Sequence, residues 1–263
     1  MIENGSLNAY QRRLRIVQQI QEIGEVRIAD LIQQFGVSDT AIRRDLTILG
    51  NNGQVRRIHG GALAVGRSLA GLSFQANAMR HYKEKCCIGQ AAAALVQPGE
   101  SIILDSGTTT LEVALALANA ITNAQPITIV TNSLPIILGL IDWNAGNLNV
   151  LGGILLPEHQ ATVGPQAIVN LKLLQVSKAI IGCDGLSISH GLTTAHVLVA
   201  EVGRVMVEVA RQVIVVTDSS KLGQKGFTQI VPIGAVDILI TDKNAPAEIV
   251  DEIRALGIEV LTV

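Results

Sequence analysis

The chain shows two successive patterns of hydrophobic and polar positions. Residues 8–51 carry apolar side chains at spacings of three and four, which predicts helices with one buried face. From residue 101 onward, short apolar runs alternate with polar clusters and with longer stretches of helical period. The second pattern is typical of an open, mostly parallel α/β sheet. The predicted fold class is therefore α/β, with a small helical domain in front of the sheet.

The first pattern predicts a helix-turn-helix. A helix over 8–24 and a short strand at 25–27, which we expect to pair with a later hairpin, come before a second helix from Ile28 to Gln34. A turn follows at Phe35–Val37, and the hydroxyl of Ser38 can accept a hydrogen bond from a free backbone N–H at the start of the third helix. The third helix has its apolar residues on one face, namely Ile42, Leu46 and Leu49.

The opposite face of the third helix is suited to contact DNA. Next to Ser38 it carries two hydroxyls, Thr40 and Thr47, and two guanidiniums, Arg43 and Arg44. An apolar face toward a small core and a polar face of this chemistry are typical of a helix that lies in the major groove. A solvated surface helix in an ordinary bundle has the same period, so the interpretation depends on the next segment.

A second basic element follows the third helix. The turn signal Asn51-Asn52-Gly53 precedes a segment that we interpret as a short β-ribbon, a wing. The wing carries Arg56 and Arg57, which we expect to contact the phosphate backbone. His59 is also assigned to the DNA-binding set, with turn capping as an equal alternative. A wing beside such a helix predicts binding of double-stranded operator DNA.

Positive charge is concentrated in the same region. Residues 1–67 hold nine arginines, no lysine and six acidic residues, a balance of 9 − 6 = +3. The remaining residues hold 11 basic and 16 acidic side chains, 11 − 16 = −5, so the formal net charge of the chain is −2. Overall charge therefore excludes a general polyanion binder. Arginine without lysine favours forked contacts to guanine edges and phosphates.

Composition limits the core and the location. Hydrophobic residues make up 48% of the chain, aromatic residues only 2%, and the mean hydropathy is +0.40. A core of Ile, Leu, Val and Ala suits a parallel sheet buried on both faces. No apolar run approaches the roughly 20 residues of a membrane span, and no signal peptide is recognised. Together with an odd count of three cysteines, this predicts a cytoplasmic protein without membrane contact.

Seven strands are predicted in the larger domain, with helices in most of the gaps. The strands are Ser101–Leu104, Ile127–Val130, Leu148–Leu151, Ala179–Gly182, Val213–Val216, Val236–Ile240 and Ile258–Leu261. The helices include Met79–Gln97, Leu111–Ile121, Leu134–Leu140, Val197–Arg211 and Ala247–Leu256. Residues 1–62 are assigned to the DNA-binding domain, 63–78 to a linker and 79–263 to the α/β domain.

The residues that follow the strands form a candidate ligand site, because ligands of open parallel sheets bind beyond the carboxyl ends of the strands. They are hydroxyls, carboxylates, an amide, glycines and one lysine: Asp105, Ser106, Gly107, Thr108, Thr109, Thr110, Thr131, Asn132, Ser133, Gly152, Gly153, Asp184 and Lys221. A polyhydroxylated ligand with a phosphate could use every member of this set. No metal site is predicted, since no cysteine has metal-ligand spacing with a histidine, and no cofactor is expected.

Residues 105–110 predict the phosphate end of that site. A strand ending in Asp, a glycine and hydroxyls that open a helix would hold an anion with backbone N–H groups and the helix dipole. Two alternatives remain open. A hydroxyl-rich helix start can be ordinary capping, and Lys221 can be an ordinary surface lysine.

These motifs resemble one known family. VSDTAIRRDL followed by VRRIHGGA is similar to the N-terminal winged helix-turn-helix of the DeoR family of bacterial sugar-catabolism regulators. LDSGTTT, IVTNS, LGG, GCDG, GLTT and VTDSSK resemble its effector domain, which is similar in fold to ribose-5-phosphate isomerase and the coenzyme A transferases. QPGESIILDSGTTT and VIVVTDSSK are most similar to the AgaR-like branch, the N-acetylgalactosamine-catabolism repressors.

The resemblance implies a transcriptional regulator, here a repressor of a carbohydrate-utilisation operon that a phosphorylated sugar releases. A homo-oligomer, dimer or tetramer, would match repeated operator half-sites. Transcriptional activation is one alternative, and a sugar-phosphate isomerase with an accessory DNA-binding domain is another. Asp184 and Glu201 resemble isomerase carboxylates, so Glu201 joins the predicted effector site. The turn at 187–192 lacks the isomerase lysine, and we therefore expect a binding site and not an enzyme.

The chain departs from the family at two places. Ala41 stands where the family usually has a threonine before the Ile-Arg pair. The stretch AHVLVAE at 195–201 replaces a more polar sequence that is usual in this branch. At the first place, either Thr40 takes over the contact of the missing threonine or one DNA contact is absent. At the second place, we expect a ligand specificity that differs from that of the branch.

Overall fold

The computed structural model describes residues 9–52, 54–58, 60–64, 74–121 and 126–263. Contacts divide the chain into two compact units, residues 1–76 and 77–263. Among the described residues, no helix combines the length and the apolar character that crossing a membrane requires. Residues 65–73 of the predicted linker lie outside the described residues, so the linker bounds of 63–78 stay a prediction.

The first unit is a winged helix. Its elements are α1 (Ala9–Ile23), β1 (Glu25–Arg27), α2 (Ile28–Phe35), α3 (Asp39–Asn51), β2 (Val55–Ile58) and β3 (Gly61–Ala64). The strands form one antiparallel sheet in the order β1-β3-β2, so the predicted pairing of the short first strand with the wing is confirmed. Aliphatic side chains from all three helices form the core: Ile16, Ile20, Leu31, Ile42, Leu46 and Leu49.

Two glycines permit the turns of this unit. Gly36 ends α2 in the left-handed region, with φ 63°, and its N–H donates to the carbonyl oxygen of Ile32. Gly61 begins β3 so close to β1 that an added Cβ would lie 2.1 Å from the carbonyl oxygen of Val26. Any side chain at position 61 would therefore push the wing away from β1.

The second part of the chain alternates strands and helices. Its elements are α4 (Phe74–Met79), α5 (Tyr82–Ala94), β4 (Ser101–Leu104), α6 (Thr108–Ala120), β5 (Ile127–Thr131), α7 (Leu134–Gly139), β6 (Gly146–Val150), β7 (Ile154–Leu156), β8 (Ala161–Val163), α8 (Pro165–Lys172), β9 (Val176–Ile181), β10 (Gly185–Ser187), β11 (Gly191–Thr194), α9 (Val197–Glu208), β12 (Ala210–Val216), β13 (Thr228–Val231), β14 (Ile238–Thr241), α10 (Ala247–Ala255) and β15 (Glu259–Thr262). A 3-10 turn at Ser219–Lys221 follows β12.

Seven strands form one parallel sheet in the order β15-β14-β12-β9-β4-β5-β6. They are the seven predicted strands, with ends shifted by up to three residues. At its centre β4 lies beside β9, with Ile103 opposite Ala179. Alternate residues enter different cores: Ile103 belongs to the core that includes side chains of α8, α9 and α10, whereas Ile102 and Leu104 belong to the core that includes side chains of α5, α6 and α7. The sheet is thus buried on both faces, as the aliphatic composition predicted.

Two helix predictions were wrong in their bounds. The helix predicted over Met79–Gln97 is interrupted, because His81 between α4 and α5 has a left-handed φ of 52°. The helix predicted over Val197–Arg211 ends at Glu208, because Ala210 already pairs with Val176 in the sheet. Apolar period reveals neither event, since the apolar positions continue through both.

The prediction missed two antiparallel additions. β7 pairs with β8 as a hairpin, and β10, β11 and β13 form a separate three-stranded sheet. Strands of three or four residues are too short to show a clear alternation of polar and apolar positions. Both additions follow directly on parallel strands, so they lie next to the candidate ligand site.

Candidate functional site

The polar side of α3 is accessible. Ser38, Thr40, Arg43 and Arg44 are exposed, and Thr47 is partly exposed. Ser38 caps the helix as predicted, since its Oγ accepts a hydrogen bond of 3.3 Å from the N–H of Ala41. The hydroxyl of Thr47 donates to the carbonyl oxygen of Arg43 over 2.7 Å. Of the predicted contact residues on α3, Thr40 and the two arginines are therefore the exposed side chains that can reach a base or a phosphate.

Arg43 already has a partner in the free protein. Its Nε lies 2.5 Å from Oδ1 of Asp39, one turn earlier in α3, and both side chains are roughly half exposed. The hydrogen bond to Asp39 raises the pKa of Arg43 above its ordinary value. If Arg43 enters a groove, its guanidinium must either leave Asp39 or bind Asp39 and the DNA at the same time.

A buried ion pair joins α3 to α1. Asp45 is 2% exposed and accepts hydrogen bonds from Arg12 Nε at 2.6 Å and from Arg13 Nη1 at 3.2 Å. Two of the arginines in residues 1–67 are thus bound inside the unit. The sequence contained the signal: Asp45 follows Ile42 by three positions and precedes Leu49 by four, so a carboxylate lies on the apolar face.

The wing places Arg57 against α3. An added Cβ at Gly50 would lie 3.3 Å from Cγ of Arg57, so the aliphatic part of this side chain covers the end of α3 while the residue remains exposed. The backbone of Arg56 belongs to β2, but its side chain lies outside the described residues, as does His59. Their DNA contacts stay predictions.

Most of the predicted ligand residues follow strands of the parallel sheet and therefore lie at its carboxyl edge, whereas Glu201 belongs to the second turn of α9 and Lys221 ends the 3-10 turn after β12. Asp105 follows β4 and is only 5% exposed. Its Oδ2 accepts a hydrogen bond of 3.3 Å from the N–H of Gly182, which follows the neighbouring β9. Burial raises the pKa of Asp105 to about 7, and the charge of Asp184 acts in the same direction.

The start of α6 has no side-chain cap. Gly107 is its N-cap residue, whereas the neighbouring α7 is capped by Ser133, whose Oγ accepts a hydrogen bond from the N–H of Ile136. Thr110 is buried and donates to the carbonyl oxygens of Asp105 and Gly107, at 2.6 Å and 3.0 Å. Thr109 is 8% exposed. The accessible part of the predicted cradle therefore consists of the partly exposed Ser106, Gly107 and Thr108.

The three polar residues after β5 have different roles. Thr131 is buried and donates to the carbonyl oxygen of Leu104 over 2.7 Å, and Ser133 caps α7, so both serve the fold. Asn132 is 1% exposed, and its Nδ2 donates to the carbonyl oxygen of Thr162 over 2.8 Å. The Oδ1 atom of Asn132 is buried and has no hydrogen-bond partner among the described residues. Of the three, Asn132 alone carries an unused acceptor there.

The remaining predicted positions surround the same edge. Asp184 is exposed and accepts hydrogen bonds from the hydroxyl of Thr194 at 2.8 Å and the N–H of Ala195 at 2.9 Å. Glu201 on α9 and Lys221 in the 3-10 turn are partly exposed, and Gly152 and Gly153 after β6 are exposed. No group of three or more His, Cys, Asp or Glu side chains within the described ranges is placed to hold a metal ion.

Sequence reasoning missed Lys85. It belongs to the first turn of α5, is 4% exposed, and its Nζ donates to the carbonyl oxygen of Asn77 over 2.5 Å. Burial lowers the pKa of Lys85 to about 8, and the charge of Asp218 opposes this effect while that of Lys221 adds to it. Lys85 precedes Ile88 by three positions, so it lies on the same, buried face of the helix, and this spacing was the available signal.

Two histidines were also missed. The rings of His159, in the turn between β7 and β8, and His196, at the start of α9, lie edge to face with centroids 5.6 Å apart and planes at 67°. Burial lowers the pKa of His159, and the charge of Asp184 opposes this effect. The Nδ1 atom of His196 is buried and lacks a hydrogen-bond partner within the described residues.

Comparison with known proteins assigns both units. Residues 12–67 match the family described as DeoR-like helix-turn-helix domain, and residues 80–243 match the DeoR C terminal sensor domain. The HTH-type transcriptional repressor GlcR of Bacillus subtilis (strain 168) is 34% identical over 250 residues, which cover 94% of this chain and 93% of that protein. A protein of Escherichia coli O157:H7 named for repression of the aga operon is 32% identical over 255 residues, covering 96% and 93%.

Solved structures give a weaker likeness. Ribose 5-phosphate isomerase A of Methanocaldococcus jannaschii has 18% sequence identity and a TM-score of 0.40, with 54% of this chain and 55% of that chain covered. The family assignment rests on the sequence matches, which include both the helix-turn-helix and the sensor domain. The chain belongs to the DeoR family of DNA-binding transcriptional regulators.

Proposed function

We propose that this protein represses a carbohydrate-utilisation operon and leaves its operator when a phosphorylated sugar binds at the carboxyl edge of the parallel sheet. The relatives are named as transcriptional regulators, which favours a regulator over the isomerase alternative. Its site of action is DNA, so the protein works in the cytoplasm. On the operator, Thr40, Arg43 and Arg44 contact bases or phosphates, and Arg57 contacts the phosphate backbone.

The uncapped start of α6 is the observation that carries the proposal. Gly107 leaves the first N–H groups of a 13-residue helix without a side-chain acceptor. A phosphate oxygen is the acceptor best suited to this position, because the helix dipole also favours negative charge there. Ser106 and Thr108 are partly exposed beside it and supply hydroxyls.

The electrostatics of the edge suit an anion despite its aspartates. Burial raises the pKa of Asp105 to about 7, so at neutral pH it carries less negative charge than an ordinary carboxylate and repels a phosphate less. Lys85 and Lys221 lie within electrostatic reach of each other and of Asp218. The charge of Lys221 lowers the pKa of Lys85, and a phosphate dianion bound between the two ammonium groups would offset that repulsion.

Release of DNA requires the ligand to prefer one arrangement of the protein by about 5 kcal/mol if a mostly bound population is to become mostly free. Several copies acting together supply this preference more readily than one. Large apolar side chains are exposed on the sensor unit, namely Leu138, Ile141, Val150 and Ile154. Such exposure supports an oligomer, and a dimer or tetramer matches two-fold operators.

The test is a titration of the purified protein onto DNA from upstream of its own gene, at two salt concentrations. A panel of sugar phosphates and the matching unphosphorylated sugars is then added. We expect salt-dependent, sequence-preferring binding that one phosphorylated compound reverses and its unphosphorylated form does not. Binding that no compound changes would contradict the effector part of the proposal. Transcription from the same promoter in vitro distinguishes repression from activation.

A further inference from the structure

Two segments at the carboxyl edge of the sheet, the residues after β5 and the start of α9, carry polar atoms that the fold does not use. Two buried polar atoms there lack partners within the described residues, Oδ1 of Asn132 and Nδ1 of His196. A buried polar atom without a partner costs free energy, so native proteins seldom keep one unless a ligand or a water satisfies it. Both atoms belong to segments that meet at the carboxyl edge of the sheet.

A continuous series of contacts joins these two atoms. Asn132 is bonded to the hairpin of β7 and β8, because its Nδ2 and its carbonyl oxygen both contact Thr162. The turn of that hairpin carries His159, whose ring packs edge to face on the ring of His196. The residue before His196 is Ala195, whose N–H donates to Asp184. The series therefore curves from the end of β5 to the end of β9.

The two histidines are separate from the proposed phosphate end. His196 is the N-cap residue of α9, whereas the phosphate end is formed by residues 105–110 at the start of α6. Its neighbour His159 comes from a hairpin that the parallel sheet does not require. These residues can therefore vary without changing the phosphate cradle.

We propose that His196, positioned by His159, and Asn132 determine which sugar phosphate this regulator accepts, by binding hydroxyl groups at the end of the ligand away from its phosphate. This inference rests on the function proposed above and specifies its ligand class: a phosphorylated sugar with at least two free hydroxyls. A hydroxyl satisfies His196 Nδ1 in either tautomer, because it can donate or accept. Asn132 Oδ1 requires a donor, which the second hydroxyl supplies.

His159 acts on the ligand through His196. Its edge-to-face contact limits rotation of the His196 ring. Replacement of His159 by Phe keeps an aromatic ring of similar shape, so we expect a small effect from His159→Phe. Replacement by Ala removes the ring contact and leaves the His196 ring free to rotate.

The experiment measures release of operator DNA from the full-length protein by the sugar phosphate that acts on the wild type. His196→Phe keeps the ring contact and removes the polar atoms, whereas His196→Asn places an amide near the Nδ1 position. We expect His196→Phe to raise the half-releasing concentration about tenfold and His196→Asn to restore most of the response. His190→Phe, in the turn between β10 and β11, is the matched control and should respond as the wild type does.

Two further readouts separate a ligand contact from a structural effect. Inorganic phosphate should compete with the sugar phosphate equally well in the wild type and in His196→Phe, because this substitution leaves the phosphate cradle unchanged. A deoxy analogue that lacks the hydroxyl bound by His196 should release DNA from the wild type only weakly. Its effect on His196→Phe should be equally weak, because the hydroxyl and the His196 side chain belong to the same contact.

An unchanged response of His196→Phe overturns the inference and leaves the proposed function standing. Equal loss for sugar phosphate and inorganic phosphate also overturns it, because His196 would then support the fold of the pocket only. Failure of every sugar phosphate to act on the wild type would instead remove the proposed function, and this inference with it.

Discussion

The Nε atom of Arg12 lies 2.6 Å from Oδ2 of Asp45, and both side chains are buried between α1 and α3. This pair fixes the helix that carries the proposed DNA contacts to the helix that supports it. Removal of one partner leaves the other as a buried charge, which typically destabilises a protein by about 3–5 kcal/mol. The orientation of α3 therefore depends on a pair of side chains that are buried inside the unit.

Asp45→Ala should unfold the first unit at lower urea concentration and abolish operator binding, because Arg12 and Arg13 lose their partner together. Urea unfolding and a DNA-binding titration measure the two effects. Asp251→Ala is the matched control: its exposed pair with Arg254 should contribute at most about 1 kcal/mol. A variant at position 45 with wild-type stability would show that the pair does not hold α3.

Arg43→Ala and Asp39→Asn should change operator affinity in opposite directions. Loss of Arg43 weakens binding by about 1–3 kcal/mol if it contacts a base edge. Asp39→Asn removes both the competitor for Arg43 and a negative charge beside the DNA, so binding should tighten. Fluorescence anisotropy with labelled operator measures both, and Arg254→Ala in α10 controls for loss of an arginine elsewhere. If both variants bound the operator with wild-type affinity, Arg43 would be excluded from the contact surface.

Thr108→Glu should prevent release by the effector while DNA binding persists. Position 108 is partly exposed at the start of α6, so a carboxylate there occupies the proposed phosphate position without entering the core. Thr108→Gln has nearly the same shape without the charge and should retain much of the response. A normal response from Thr108→Glu would place the phosphate elsewhere. Thr109 is a poorer site for this test because it is buried.

Asp105→Asn should change how stability depends on pH. The pKa of Asp105 is about 7 in the folded protein, against 3.8 for an ordinary aspartate, so the folded state binds the proton more tightly. The contribution of this tighter proton binding to the free energy of unfolding is fully present below about pH 4 and is lost as the pH rises through 7. Asp105→Asn does not titrate, so its stability relative to wild type should increase between pH 5 and pH 8 by up to a few kcal/mol. Urea unfolding at both pH values tests this, and a constant difference would contradict the raised pKa.

Most of the fold could be predicted from the sequence because the signals are local. The apolar face of α3, the cap at Ser38 and the turn at Gly36 lie within a few residues of each other. The seven parallel strands are apolar runs because both faces of the sheet are covered. The interruption at His81 was missed, since a single left-handed residue leaves the pattern of apolar positions unchanged.

The candidate site could be predicted only in part, because side chains from distant segments complete it. The position after a strand identifies Thr131, Asn132 and Ser133 equally, but two of them bond to the fold and Asn132 alone keeps an acceptor unused within the described residues. Lys85 follows no strand, and His159 meets His196 only because a hairpin folds over the edge. Such contacts depend on tertiary structure and have no counterpart in local spacing.

The pairing of Ile103 with Ala179 at the centre of the sheet also has a consequence for synthesis on the ribosome. Strand β4 must wait for β9 to emerge before the middle of the sheet can form, and contacts between such distant segments slow folding. Among the described residues, the core of the winged helix is formed by side chains from 16–62, so this unit can fold while the rest of the chain is still being made. An unfinished chain would thus carry a DNA-binding unit before it has a sensor to release it.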